Sequence, residues 1–344
     1  MGYVQIPGGG GGSQTWPEYI VTDVAGLFAA AAAAVAGDTI QMAEGTYTLT
    51  NGTGSLSFVS GVTLSGAGIG RTIITQDGTL ADNLIEFVGS AVGTYGIAAA
   101  AQWATTGAAD TAAEAGNVTA GDLLHLQDPA TGERFLTVAT ANGNPGTGAL
   151  AWAHPLPILM GATATVTVYD TYTEDITIRD LTVQAESGAT DSALYFLASK
   201  NLTIEDVELL GPNNANTDPA FAALFLVGGH ATGLTIDGFA YRGLWILTEY
   251  TVDMQCRGGA GNPGGELNQW SRIAYSHIRD NSSGGTTTNL HRLERSHRSH
   301  WYIISSDNVT NCMIFNAATE NVYETTCRGA TDLNGSTGNV GEPT

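Results

Sequence analysis

Hydrophobic and polar positions alternate in a short motif that recurs along the chain. Each copy begins at a Gly, Asp or Asn and continues as an aliphatic residue, Thr and a second aliphatic residue; the copies start at Gly61, Asp175, Asn201 and Gly233. Because side chains alternate between the two faces of a strand, the aliphatic residues point one way and the Thr the other. From 175 to 201 and from 201 to 233 the steps are 26 and 32 residues. Strand-sized repeats without helices between them predict a β-solenoid.

The segment ahead of the first copy predicts a helix that leads into two strands. Thr22 or Asp23 can cap an Ala-rich run that Gly37 ends, and Ala has the highest intrinsic helix propensity. Residues 38–49 then read as a strand, a turn at Gly45 and a second strand.

A long stretch without the motif separates the first copy from the later ones. Alternating residues around 121–128, 133–138 and 164–169 predict a small antiparallel β insertion between two coils. The predicted organisation has a flexible Gly-rich leader, the capping helix with the first coils, the inserted subdomain, the main coils and a flexible tail, over residues 1–17, 18–87, 88–170, 171–328 and 329–344.

Composition and charge narrow the possible partners. The chain has 344 residues with 33 acidic and 12 Lys or Arg side chains, a net charge of −21. This balance argues against nucleic acid as a partner, because binding to a phosphate backbone needs a basic surface. The sequence has no apolar run of about 18 residues, so we expect no membrane contact, and the first residues lack the pattern of an export signal.

The three cysteines, Cys256, Cys312 and Cys327, are widely spaced and lack the spacing of metal ligands. We expect buried free thiols, no metal site and no cofactor.

Several of these segments resemble a known superfamily. The Ala-rich helix with Gly37-Asp-Thr-Ile and Gly45-Thr-Tyr is similar to the N-terminal cap of pectate-lyase-like right-handed β-helices, and Gly61-Val-Thr-Leu-Ser-Gly-Ala-Gly with Arg71-Thr-Ile-Ile is similar to their next coil. The insertion, with Gly121-Asp122 and Glu133 before a strand, looks like those of phage tailspikes.

The resemblance covers roughly residues 18–328 and implies an all-β fold: a single-stranded right-handed parallel β-helix with an N-terminal capping helix and a small inserted antiparallel β subdomain. The signature motifs of alginate epimerases and polygalacturonases are missing from the sequence, as is a recognisable C-terminal trimerisation module. The resemblance therefore points to phage tailspikes, tail fibres and other virion-surface proteins for fold, and leaves activity open.

One candidate site lies on the outward positions after the motifs. If the coils stack, Arg179, Glu205, Asp237 and Asp253 form a row with about 4.8 Å between rungs. Two carboxylates at about 5–9 Å can act as acid and base, or as acid and nucleophile, on a glycosidic bond. The candidate catalytic residues are Glu205, Asp237 and Asp253; the alternative is a solvated outer face.

Two further acids, Asp180 and Asp206, close their motifs identically. We predict that they form turns, because Asp side chains hydrogen-bond nearby backbone.

A second candidate site is the segment 291–302, which concentrates positive charge in a chain that is short of it. Arg forks match carboxylates, and Trp or Tyr can stack on a sugar ring, so we predict a contact with an acidic glycan. For a lyase, a neutral His or Tyr abstracts the proton and an Arg stabilises the carboxylate. The predicted glycan-binding residues are His291, Arg295, His297, Arg298, His300, Trp301 and Tyr302.

Other interpretations of this segment stay open: an outer polar strand, a subunit contact, or a two-histidine metal site at His297 and His300. Arg272 and His277 on the preceding coil can extend the patch.

The sequence therefore favours a virion structural and receptor-binding protein that contacts host-surface polysaccharide. We expect it on the virion surface or outside the cell, as a homotrimer that joins other virion proteins through its N-terminal region. The alternatives are a polysaccharide lyase or glycoside hydrolase acting on an acidic glycan, and an adhesin fragment.

Overall fold

The computed structural model describes backbone and side chains in six segments and backbone alone in further strands. The six segments are 19–80, 82–131, 134–156, 159–185, 192–211 and 221–236. Backbone alone is described for 3–5, 133, 219–220, 237 and the strands from Arg242 to Pro343.

The first coils begin with a capped helix. Their elements are β1 (Tyr3–Gln5), β2 (Tyr19–Val21), α1 (Val24–Ala33), β3 (Thr39–Met42), β4 (Gly45–Leu49), β5 (Thr63–Ser65), β6 (Thr72–Gln76) and β7 (Ile85–Val88). The Asp23 carboxylate accepts a hydrogen bond of 2.7 Å from the Gly26 N–H, which caps the N-terminus of α1. Leu27 and Ala30 of α1 are fully buried within the core of the first coils.

The later coils contain the longest strands. They are β14 (Thr173–Glu174), β15 (Thr177–Gln184), β16 (Leu194–Leu210), β17 (Pro219–Asp237), β18 (Arg242–Arg257), β19 (Gly264–Glu266), β20 (Arg272–Ile278), β21 (Thr287–Glu294), β22 (His300–Ser305), β23 (Val309–Asn316), β24 (Val322–Thr326), β25 (Ala330–Asp332) and β26 (Val340–Pro343). From β2 onward the pairings between these coils are parallel, and all belong to one sheet of 20 strands. A single chain that returns each coil beside the one before forms a parallel β-helix.

Single residues in the left-handed conformation turn the chain from one face of the β-helix to the next. Asp180 and Asp206, with φ of 58° and 50°, stack at one such bend, so the prediction that they form turns is confirmed. Asp175 and Asn201 stack at another, where Asn201 Nδ2 donates to Asp175 Oδ1 at 3.2 Å. Asn and Asp are the non-glycine residues that tolerate this conformation best.

The core of the β-helix consists of stacked aliphatic and aromatic rows. Phe87, Phe196 and Phe221 share one register position and are fully buried, and the ring centroids of adjacent members lie 5.1 Å and 5.8 Å apart. Ile178 and Ile204, the inner residues of two motif copies, stack in a second row.

The register corrects one sequence interpretation. Asn201 stacks on Asp175 as the motifs suggest, but the copy at Gly233 stacks on Asp206 and not on Asn201. The coil after Asn201 therefore reaches the equivalent position at Gly228, 27 residues on, where the sequence carries no motif. The 32-residue step is thus a shift to the next face and not a longer coil.

Between β7 and β14 the chain forms an antiparallel unit. Its elements are β8 (Ser90–Gly96), β9 (Thr106–Ala108), α2 (Ala112–Ala115), β10 (Leu123–Asp128), β11 (Glu133–Val138), β12 (Ala149–Ala151) and β13 (Thr165–Thr171). The sheet order is β11-β10-β13-β8, and β9 pairs with β12. This unit has a core of its own around Phe135 and Trp152.

The antiparallel unit rests against one edge of the β-helix. Leu123, Leu136 and Tyr169 of the unit form a separate buried cluster with Ala198 of β16, against which Phe225 of β17 packs. Lys200, the only lysine in the chain, donates to the Gly121 carbonyl oxygen and lies 3.5 Å from the centre of the Tyr172 ring. Apolar contacts and one cation therefore join the two parts.

Candidate functional site

One row of residues on the outside of the β-helix changes character along the axis. The row, called here the polar ladder, occupies one register position on successive strands: Thr39, Thr63, Thr177, Thr203, His230, Asp253, Arg272 and His300. Four threonines are thus followed by four residues with chemistry suited to charged or polar ligands.

The described part of the ladder lies on the surface. Thr177 and Thr203 are half-buried and His230 is exposed, whereas the residues that follow them along the strand, Ile178, Ile204 and Ala231, are fully buried. The alternation follows from the pleat of the strand.

Glu205 and His230 form a pair beside the ladder. Glu205 Oε1 lies 3.4 Å from His230 Nε2, and the two side chains are 41% and 45% exposed. Arg179, one rung below Glu205, lies in register with it, and its Nε is 3.8 Å from Asp180 Oδ2. A protonated His230 would form an ion pair with Glu205, and because both side chains face solvent such a pair contributes little stability. Both groups are accessible to a ligand.

The ladder continues through strands whose backbone sets the spacing. Asp253 pairs with His230, Arg272 with Asp253 and His300 with Arg272. Neighbouring rungs of a parallel sheet are about 4.8 Å apart, so four consecutive rungs present an imidazole, a carboxylate, a guanidinium and an imidazole. Of the predicted residues, Asp253 and His300 therefore share one row, and Arg272 lies beside His300 as suggested.

The four-member acidic row expected from the sequence is wrong. Glu205 pairs with Arg179 and Thr232, but Asp237 pairs with Leu210. The bend at Asp206 and Gly233 separates these positions, so Glu205 and Asp237 lie on different faces. Asp253 lies on the ladder row, next to the row of Glu205. The catalytic role of these acids stays a prediction.

The segment 291–302 is divided between two strands. His291 belongs to β21 and pairs with Met313, whereas His300, Trp301 and Tyr302 belong to β22. Through Ile273 and Met254, Trp301 shares its register row with Ile204. Arg295, His297 and Arg298 lie outside the described residues. Glycan binding by this segment stays a prediction.

Sequence reasoning missed His230. It lies 27 residues after Thr203 in the stretch Gly229-His230-Ala231, which lacks the Thr motif. Counting one 26-residue coil from the strong copies, instead of following the motif to Gly233, would have brought His230 within one position of the row.

Neither a metal centre nor a membrane span emerges from the described residues. In those segments, no three His, Cys, Asp or Glu side chains are grouped to hold a metal ion. None of the helices there is long and apolar enough to cross a bilayer.

Comparison with known proteins identifies the architecture. No protein-family profile matches the chain, and no curated protein matches its sequence. Among solved structures, the tailspike protein gp49 of Pseudomonas phage LKA1 matches with a TM-score of 0.52 over 91% of this chain and 56% of that protein, at 14% identity. The chain folds as a right-handed parallel β-helix. The fold predicted from the sequence is thereby confirmed.

Two further solved structures are similar at lower scores. The tailspike gp61 of Pseudomonas phage phi297 matches at a TM-score of 0.45 and 11% identity, over 88% of this chain and 63% of that one. The mannuronan C-5 epimerase AlgE4 A-module of Azotobacter vinelandii matches at 0.37 and 14% identity, over 93% and 87%. The chain thus spans less than two thirds of the length of either tailspike, and the likeness is one of fold.

Proposed function

We propose that this chain is a virion-surface protein that binds host-surface polysaccharide along the polar ladder. The observation that carries the proposal is the register, which brings His230, Asp253, Arg272 and His300 to consecutive rungs. The whole chain has only 12 Lys and Arg residues, so a row with Arg272 between two ionisable partners stands out against an acidic surface. The β-helix fold shared with a phage tailspike supports the virion assignment.

The chemistry of the row suits an acidic sugar polymer. A polymer that lies along the helix axis meets one ladder residue per rung. Arg272 offers a forked donor for a sugar carboxylate, and His230 and His300 add donors that strengthen as they become protonated. Glu205 and Asp253 accept hydrogen bonds from sugar hydroxyls.

Binding to an array of purified bacterial capsular and exopolysaccharides tests this proposal. We expect the intact chain to bind at least one acidic polysaccharide, and Arg272→Ala to weaken binding about tenfold, since hot-spot truncations cost more than about 1 kcal/mol. The matched control is Thr63→Ala, on the same ladder but away from the charged rungs. Equal losses from both variants, or no binding by the intact chain, would contradict the proposal.

A second candidate function is cleavage of the same polysaccharide by lyase or hydrolase chemistry. The contact of 3.4 Å between Glu205 and His230, with Asp253 paired to His230 on the next rung, favours it. Such a cluster holds two carboxylates on either side of an imidazole, enough for acid and base roles.

New reducing ends, or absorbance from unsaturated uronates, would reveal cleavage. For an enzyme, Glu205→Gln should abolish turnover while binding is retained, because the two side chains have nearly the same shape. Full turnover in Glu205→Gln would exclude Glu205 from the reaction.

We also propose that the chain forms a homotrimer and joins other virion proteins through residues 1–17. The resemblance to tailspikes supports both statements. Light scattering should give three times 35.5 kDa, and peptides of the chain should appear by mass spectrometry in purified virions.

A further inference from the structure

The antiparallel unit carries an exposed tryptophan in an unusual backbone conformation. Two tryptophans of the described segments behave oppositely: Trp152 is buried, whereas Trp103 is 45% exposed. Trp103 has φ of 70°, in the left-handed region that a bulky residue rarely occupies. A large aromatic ring is therefore held in water on a backbone that disfavours it.

The local hydrogen bonds show why the backbone adopts this conformation. The Ala104 N–H donates to the Ala101 carbonyl at 3.1 Å, which closes a four-residue turn with Trp103 at its third position. A positive φ at the third position is typical of a type II turn, where Gly is the usual residue. The sequence thus places Trp where Gly would relieve the strain.

The turn is fastened to the strand opposite. The Trp103 N–H donates to the Leu156 carbonyl at 2.7 Å, and the Leu156 N–H donates to the Ala104 carbonyl at 3.0 Å. The indole N–H of the buried Trp152 donates to the same Ala104 carbonyl at 3.0 Å. These bonds hold the exposed ring in a preorganised position.

The surroundings of the ring are apolar or neutral. Leu159 is 65% exposed and lies next to Met160, which bridges to Ala100 at the start of the turn. Gln102 and Thr105 are exposed on the turn itself, and the sequence contains no Asp, Glu, Lys or Arg in 101–105 or 153–161. An exposed ring with amide and hydroxyl groups beside it suits a sugar, whose C–H face stacks on the indole while its hydroxyls hydrogen-bond at the rim.

The size of this surface decides between a sugar and a protein partner. A stable protein interface buries about 800 Å² on each partner, whereas one aromatic side chain buries about 150–250 Å². Trp103 and Leu159 alone thus provide too little area for a second protein chain, but enough for one pyranose ring.

We propose that Trp103 is a second polysaccharide contact, a stacking platform for a neutral pyranose unit that is separate from the polar ladder. The inference rests on the proposed polysaccharide ligand and adds the antiparallel unit to the binding surface. The backbone strain at Trp103 is retained because the ring serves the ligand.

The test compares Trp103→Gly and Trp103→Phe with the intact chain and Arg272→Ala. The probes are dextran, cellohexaose and the bacterial polysaccharide array described above. Gly suits the turn, so Trp103→Gly should keep or raise the unfolding temperature while binding to the recognised polysaccharide falls about tenfold. Trp103→Phe should retain most of the binding, and ligand-induced quenching of tryptophan fluorescence should diminish in Trp103→Gly.

Each other outcome overturns the inference in a recognisable way. Unchanged binding by Trp103→Gly, with a loss in Arg272→Ala, would remove Trp103 and leave the proposed function standing. A lower unfolding temperature in Trp103→Gly would show a structural role for the ring, and a change in its oligomeric state would assign the ring to a protein contact. Absence of binding by the intact chain would remove both proposals.

Discussion

At the scale of single residues, the coils stack so closely that glycine is required for two separable reasons. A Cβ on Gly66 would lie 2.2 Å from the Asp180 carbonyl oxygen of the next coil. Gly78, by contrast, has φ of 78° and open space around the same position. The first glycine permits a close approach of two coils, and the second permits a backbone conformation.

These two positions predict different costs for the same substitution. We expect Gly78→Ala to lower the free energy of unfolding by about 1–2 kcal/mol, the cost of a left-handed L-residue. Gly66→Ala should cost more, about 3 kcal/mol, because the added methyl group must displace backbone. Urea denaturation of both variants measures the difference; equal losses would show that the coils separate easily at Gly66.

Single residues were predictable where their chemistry is distinctive. Asp180 and Asp206 read as turn formers because Asp favours turns, and both adopt the left-handed conformation. Ala198 and Phe225 form an equivalent bend, with φ of 56° and 57°, but nothing in an Ala or a Phe announces it. Such a bend arises from the stacking of neighbouring coils, which the local sequence does not encode.

At the scale of elements, the contact between the antiparallel unit and the β-helix contains a buried imidazole. The ring of His125 lies 4.5 Å from that of Phe225 between centroids, and its Nε2 has no hydrogen-bond partner. Burial, with the Arg134 charge as a second cause, lowers the pKa of His125 to about 4. The imidazole is therefore neutral in the folded protein above that pH.

This contact predicts how stability changes with pH. The pKa of His125 rises from about 4 in the folded chain to about 6.5 in the unfolded chain, so the unfolded state binds more protons between these values. Stability at this site is constant above about pH 6.5 and falls as the pH decreases towards 4, by about 3 kcal/mol in total. His125→Leu should remove this slope and stabilise the contact at pH 5.

Hydrogen exchange of the β10 amides at pH 7 and pH 5 measures the effect. The matched control is Tyr169→Phe, which changes another ring packed on Phe225 and leaves the imidazole in place. The control should keep the pH dependence. Equal slopes in the intact chain and in His125→Leu would show that another group is responsible.

The sequence predicted the strands with alternating residues, whereas it did not predict how they pair. Alternation depends on neighbours along the chain, which the sequence displays directly. The register depends on how many residues each bend consumes, and the coil from Asn201 to Gly228 takes 27 residues without a motif at its end. For the same reason the polar ladder, which joins residues from several coils, could not be assembled from spacing alone.

At the scale of the whole molecule, the charge balance opposes the compact state. The chain has 21 more acidic than basic side chains, and a strongly twisted stack of coils brings them closer together than an unfolded chain does. Self-repulsion of this kind destabilises a folded protein, and salt screens it over a length of about 10 Å at 0.1 M.

This imbalance predicts a salt dependence that vanishes near the isoelectric point. At pH 7 we expect the unfolding temperature to rise by several degrees between about 10 mM and 300 mM NaCl, because screening weakens the repulsion. At pH 4.4, the isoelectric point, the net charge approaches zero, so the same salt series should leave the unfolding temperature nearly unchanged. Scanning calorimetry at both pH values makes the comparison within one protein. An equal rise at the two pH values would assign the effect to salt acting on apolar burial, since that contribution does not depend on net charge.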